Sequence, residues 1–155
     1  MKILLATDGS KFSEKAMRKA CEFARTPDNV CFRVISAYEL QVPMAAEPYA
    51  LSAEYFDRMD KLGRQRAEFA FQQGIELVKS CFPNERVCVT GTVEVGRPAQ
   101  VIVEAAKSWG ADLIVVGSHG HGFWGRLTLG SVSDAVVHHA PCAVLLVRGE
   151  TEEAN

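Results

Sequence analysis

From Gly117 to Ser131 the chain reads Gly-Ser-His-Gly-His-Gly-Phe-Trp-Gly-Arg-Leu-Thr-Leu-Gly-Ser, directly after the apolar run Asp112-Leu-Ile-Val-Val. A buried strand thus delivers a glycine-rich loop, and the loop closes on hydroxyl residues where a helix begins. Glycines remove the side chains that would keep a phosphate away from backbone N–H groups, and a helix start adds amides and a favourable dipole. The chemistry this arrangement suits is the holding of a nucleotide's phosphates.

Two familiar phosphate fingerprints are absent. The first apolar run is followed by Asp8-Gly9-Ser10-Lys11, without the G-x-G-x-x-G of a dinucleotide fold. The segment Gly125-x4-Gly130-Ser131-Val132 resembles half of a Walker A loop, yet no lysine precedes its hydroxyl. A cradle here works mainly through backbone amides and the hydroxyls of Ser131 and Ser133.

The elements around the loop read as alternating strands and helices. Lys2–Thr7 is a short apolar strand ended by Asp8-Gly9-Ser10, and Ser10 caps a helix with Phe12, Ala16, Ala20 and Ala24 on one face, ending near Thr26-Pro27. Val30–Tyr38 is a second strand, and Gln41–Leu51, with two prolines, is a connecting loop. A long helix runs from Ser52 to Pro83 with Met59, Ala67, Phe71, Ile75 and Val78 on its stripe. Val87–Val95 alternates like a strand with one face less buried, and Pro98 opens a helix that Gly110 stops. Asp112–Val116 is the fourth strand, Ser131–His139 a short helix, and Cys142–Val147 the last strand. The order β-α-β-α-β-α-β-α-β implies a single doubly wound α/β domain, a parallel sheet with helices on both faces. Ligands in such sheets sit beyond the carboxyl ends of strands where the winding reverses. The tips at Thr7-Asp8 and Gly117-Ser118 are therefore expected in one crevice.

Composition sets bounds on the function. The 155 residues fit one domain, 48% apolar and 23% charged as in ordinary soluble globules. A net charge of −2 without a basic run argues against nucleic acid as the main partner. The five cysteines, Cys21, Cys31, Cys81, Cys88 and Cys142, show no C-x-x-C and read as reduced core residues. No signal-peptide or membrane-span pattern is present, so no membrane partner and a cytoplasmic location are expected.

The spacing Gly117-x2-Gly120-x9-Gly130-Ser131 resembles the G-x2-G-x9-G-[S/T] pattern of the universal stress protein family. The likeness continues through Ser131-Val132-Ser133-Asp134-Ala135-Val136, through His139-Ala140-Pro141-Cys142-Ala143-Val144-Leu145-Leu146-Val147-Arg148, and at the front through Ile3-Leu4-Leu5-Ala6-Thr7-Asp8-Gly9-Ser10. It implies a universal stress protein domain over residues 1–149 with a short polar tail at 150–155, and a five-stranded sheet of order 3-2-1-4-5. It also implies ATP as ligand. Gly117, Gly120, Gly130 and Ser131 would line the triphosphate, with Val132 and Ser133 contributing at the helix start. Asp8 would meet the ribose or a divalent ion, with Ala6 and Thr7 alongside. Ala37 would lie against adenine, although Ser36-Ala37-Tyr38 departs from the His-then-apolar pair common in relatives. His119 would sit beside the phosphates. Arg126 is the only full cation in the loop, so neutralising the phosphates calls for Mg²⁺ or Mn²⁺, for which Asp8 is the evident carboxylate.

Plainer roles compete for several of these residues. Asp8-Gly9-Ser10 suits a turn and helix cap, Ser131 with Asp134 suits a capping-box variant, and His119 and His121 suit solvated loop positions. His138-His139 reads as a helix-end pair favoured by the dipole rather than a metal site. Trp124 could shield a ligand or pack on the surface, and Trp109 reads as core. The last strand is apolar on both faces, yet the family topology puts it at a sheet edge, which suggests a homodimer joined through Cys142–Val147. With no evident base–nucleophile pair, a binding and signalling module leads over two rivals. These are slow ATP hydrolysis or autophosphorylation at Thr128, Ser131 or Ser133, and an interaction protein with an empty loop.

Overall fold

The computed structural model describes residues 1–24, 29–40, 52–83, 87–119 and 129–148. The elements are β1 (Lys2–Ala6), α1 (Lys11–Phe23), β2 (Cys31–Tyr38), α2 (Ala53–Cys81), β3 (Cys88–Val95), α3 (Pro98–Trp109), β4 (Leu113–Gly117), α4 (Ser131–His139) and β5 (Ala143–Val147). All pair in parallel in one five-stranded sheet of order β3-β2-β1-β4-β5, as the resemblance implies. The winding reverses between β1 and β4. The expected loop at 41–51 lies outside the described residues, as do the expected end of the first helix at Thr26-Pro27 and the tail at 150–155.

Alternation along the strands builds two cores. Ile3, Leu5, Phe32, Val34 and Val115 meet Ala16, Met17, Ala20 and Cys21 of α1 and Val78 of α2 on one face. Leu4, Ile35, Ile114 and Val116 meet Ile102 and Ala106 of α3 and Val136 of α4 on the other. Helices thus cover both faces, and β1 and β4, buried on both sides, carry continuous apolar runs.

Helix boundaries follow local chemistry. Ser10 and Ser52 cap α1 and α2, each accepting a hydrogen bond from the amide three residues on. Pro98 opens α3, and Gly110, at φ 67°, closes it in the left-handed conformation that glycine adopts without steric cost.

Two expectations need correction. Trp109 is half-buried at the rim of the core rather than within it, with Lys2 and Arg33 over its ring at 5.7 and 4.6 Å. Among the cysteines only Cys21 is fully buried; Cys31, Cys81 and Cys142 are half-buried and Cys88 is exposed, each a thiol rather than half of a disulfide.

Candidate functional site

The turn after β1 is held by its own hydroxyls and carboxylate. The Thr7 amide donates to the Ile35 carbonyl (2.9 Å), continuing the sheet by one residue. Thr7 Oγ1 accepts from the Gly9 amide at 3.2 Å and lies 3.2 Å from Ser13 Oγ. Asp8 Oδ1 accepts from the Ser10 amide at 3.0 Å, and Ser10 Oγ caps Ser13 at 3.2 Å. The turn-and-cap reading of Asp8-Gly9-Ser10 is therefore correct. Asp8 is nonetheless exposed at the strand tip, so its carboxylate remains accessible to solvent while it shapes the turn.

Across the switch point, the tip of β4 is anchored through one carbonyl. The Ser118 carbonyl accepts from the Gly130 amide (2.8 Å) and from Ser133 Oγ (3.0 Å), and Ser133 Oγ lies 2.9 Å from the Gly130 carbonyl as well. These bonds fix the start of α4 directly beyond β4. Ser133 is buried and its hydroxyl is spent inward rather than held out for a ligand. The capping-box reading of Ser131 with Asp134 does not hold: the N-cap is Gly130, no side chain caps the helix, and the Ser131 side chain is exposed at its first position.

Gly117 has a packing task. A Cβ there would lie 2.8 Å from the Phe12 carbonyl carbon and 3.1 Å from the Ser13 nitrogen, so the glycine lets the first turn of α1 press against the tip of β4. At Gly130 a Cβ would come 3.2 Å from the Ser118 oxygen. Two helix starts, α1 from one face and α4 from the other, thus converge on one strand tip. Each carries about half a positive charge, and an anionic group there gains roughly 0.3–1 kcal/mol, up to about 2 when partly buried.

His119 is half-buried beside this junction, with Nδ1 2.9 Å from Ser118 Oγ and its ring tilted against Phe12 at 5.6 Å between centroids. The Ser118 and Phe12 contacts explain how the imidazole is oriented. Ala6 and Ala37 both lie on the α3/α4 face of the sheet, near the carboxyl ends of β1 and β2, and both are half-buried. Gly120 and Arg126, with His121, Trp124 and Thr128, lie outside the described residues.

Sequence reasoning also missed a polar brace at the end of β2. Tyr38 donates to Asp60 Oδ1 at 3.0 Å, and Gly63 makes room for its ring, since a Cβ there would be 2.7 Å from it. Burial, then the hydrogen bond to Asp60, pushes the Tyr38 hydroxyl above its ordinary range. A cleft of about 350 Å³ runs between α1 and α2 and reaches the turn after β1, with Thr7, Gly9, Ser10, Arg18, Gln73 and Glu76 in its lining.

A divalent ion fits this chemistry only in part. Among the described residues no group of three or more His, Cys, Asp or Glu side chains could hold a metal, so an ion at Asp8 would take most of its ligands from phosphate and water. That is how Mg²⁺ commonly sits on a nucleotide. His138, whose Nδ1 donates to the Asp134 carbonyl (2.8 Å), is exposed in the last turn of α4, in keeping with the helix-end reading.

The universal stress protein family pattern matches residues 1–148. The chain belongs to the universal stress protein family. A universal stress protein of Thermus aquaticus is 38% identical over 146 residues, covering 94% of this chain and 97% of the relative. Among solved structures, the universal stress protein UspA from Lactobacillus plantarum is 25% identical, with 96% and 97% of the two chains covered and a TM-score of 0.76. A universal stress protein in complex with cAMP is 26% identical, with 95% and 96% covered and a TM-score of 0.64. Among the described residues of this universal stress protein, no helix is long and apolar enough to cross a membrane.

Proposed function

We propose that this chain is a nucleotide-binding universal stress protein whose ligand is ATP, held in the crevice between β1 and β4. The observation that carries the reading is the start of α4. It is fixed to the tip of β4 by two bonds to the Ser118 carbonyl, and no side chain caps it. A helix start held rigid beside a second helix start suits an anion. The relative in complex with cAMP, at 26% identity, supports an adenine nucleotide as the ligand class.

In this reading Gly117, Gly120, Gly130 and Ser131 line the triphosphate, with the amides of Val132 and Ser133 behind them. Ala37 lies against the base with Ala6 alongside Asp8, and Thr7 orders the turn that presents Asp8 to the ribose or to Mg²⁺ or Mn²⁺. His119 and Arg126 flank the phosphates. The protein acts as a cytoplasmic homodimer that reports nucleotide status to partners. Its dimer contact is β5, an edge strand whose Val144, Leu145 and Leu146 are only half-buried.

Calorimetric titration of ATP with and without Mg²⁺ tests the ligand. Binding tighter than millimolar, strengthened by the metal and weakened by Asp8→Ala, is expected; its absence would overturn the reading. Sedimentation tests the assembly, with Leu145→Lys expected to leave a monomer. A second reading, autophosphorylation, favours Ser131 over Ser133 among the described hydroxyls of α4, since Ser133 donates inward. Mass spectrometry after incubation with ATP separates the two, unmodified protein favouring a pure binding module.

A further inference from the structure

Cys31 and Cys88 open neighbouring parallel strands and stand opposite one another in the β2–β3 register. Register partners project to the same side of a sheet. For β2 that side is set by alternation: Phe32 and Val34 enter the α1/α2 core, whereas Ile35 enters the α3/α4 core, so Cys31 lies on the α3/α4 face. Over β3 this face is open, with Cys88, Thr90 and Glu94 all exposed. Strands in a sheet lie about 4.7–4.9 Å apart, inside the roughly 4.4–6.8 Å Cα separation that a disulfide spans. The Cβ atoms must close slightly further, and Cys88, at the start of an edge strand with one neighbour, is well placed to move. The two thiols already interact: hydrogen bonding with Cys31, then burial and repulsion between the two sulfurs, pushes the Cys88 thiol above its ordinary range.

We propose that Cys31 and Cys88 are a reversible disulfide pair, closed by exchange with an oxidised low-molecular-weight thiol. The exposed Cys88 thiolate attacks the small disulfide, forming a mixed disulfide at Cys88 and expelling one small thiolate. The Cys31 thiolate then attacks the Cys88 sulfur and expels the second. The two protons lost by the cysteines end on the two released thiols, so two protein thiols become one disulfide and one small disulfide becomes two thiols. The raised Cys88 thiol makes the first attack slow at neutral pH and faster as pH climbs through and beyond the usual thiol range. Of the other cysteines, Cys21 is buried in α1, Cys81 ends α2, and burial pushes the Cys142 thiol up in turn. Closure fastens β3 to β2 at the amino end of the sheet, at the opposite end from the α4 start.

The test holds the full chain in mixtures of oxidised and reduced glutathione, then alkylates it and maps its peptides. A Cys31–Cys88 link reversed by dithiothreitol is expected, with Cys21, Cys81 and Cys142 still alkylated. In Cys31→Ser a glutathione adduct should persist on Cys88, and adduct formation should accelerate as pH rises. Three results would overturn the proposal: no oxidation of the wild-type chain, a wild-type Cys88 adduct that never closes on Cys31, or links to other cysteines in comparable yield.

Discussion

At the amino end of the sheet, large side chains close the structure. Lys2 donates through Nζ to the Trp109 carbonyl (2.9 Å) and through its amide to Asp112 Oδ2 (2.7 Å), Arg33 covers the Trp109 ring, and Phe32 stacks near Phe82. At the carboxyl ends of β1 and β4 the residues are small or hydroxylic: Ala6, Thr7, Gly117 and Ser118, with Ala37 beside them on β2 and Gly130 before α4. There hydrogen bonds among hydroxyls, the Asp8 carboxylate and the backbone order the turns, and a helix start is left without a side-chain cap. The difference teaches where this fold spends its apolar surface and where it withholds it. One end is a plug that sets stability. The other is a frame that positions amides and leaves space beside them.

The contrast can be broken by substitutions that should act on one end alone. Phe32→Ala, removing a fully buried ring, should cost about 3–5 kcal/mol in denaturant unfolding, with ATP affinity of the folded protein unchanged. A large loss of affinity with it would mean that the two ends are not separable. Gly117→Val should act on both properties. Its Cβ would strike the Phe12 backbone, costing about 1–3 kcal/mol of stability and displacing α1 from the crevice, so affinity falls too.

Ser131→Glu sharpens the comparison because its two effects have opposite signs. A carboxylate in the first turn of α4 should raise stability by about 0.3–1 kcal/mol through the helix dipole. The same charge beside phosphates should weaken ATP binding at least about tenfold, equivalent to roughly 1.4 kcal/mol. Stability and affinity falling together would instead indicate a local packing defect.

The smallest effect is a pH dependence at Tyr38. Its pKa in the folded protein is raised, first by burial and then by the bond to Asp60. The contribution is therefore complete below the ordinary tyrosine value of about 10 and is lost as pH rises through the higher folded value. Absorbance titration of the phenolate in folded and denaturant-unfolded protein should show ionisation later in the folded state, and Asp60→Asn should narrow the gap.

Much of the architecture was legible because each apolar run ends in residues with one clear structural use. Ser10 and Ser52 cap, Pro98 opens, Gly110 closes, and the observed elements begin and end within a residue or two of those signals. Strand order is set by pairings distant in the chain, and it entered through the family resemblance rather than from periodicity. The site was legible as a spacing of glycines but not in its division of labour. Gly117 reads as a phosphate glycine, whereas its missing Cβ is required by Phe12, a contact between the first helix and the fourth strand that no local window contains. Ser133 reads as a ligand hydroxyl and donates inward, because the carbonyl it meets belongs to Ser118 across the loop. Trp109 reads as core, and the cations that cover it come from β1 and β2. The Cys31–Cys88 pairing is hidden for the same reason.

Backbone amide resonances recorded while ATP is added test the crevice most directly, since they report where the phosphates settle. The largest shifts should fall on Gly130, Ser131, Val132 and Ser133, with smaller ones at Thr7 and Asp8 and none at Cys31, Cys88 or Trp109. Shifts confined to the α1/α2 cleft around Arg18 and Gln73, or saturation with ATP that leaves the start of α4 unmoved, would contradict the assignment of the phosphates to that helix.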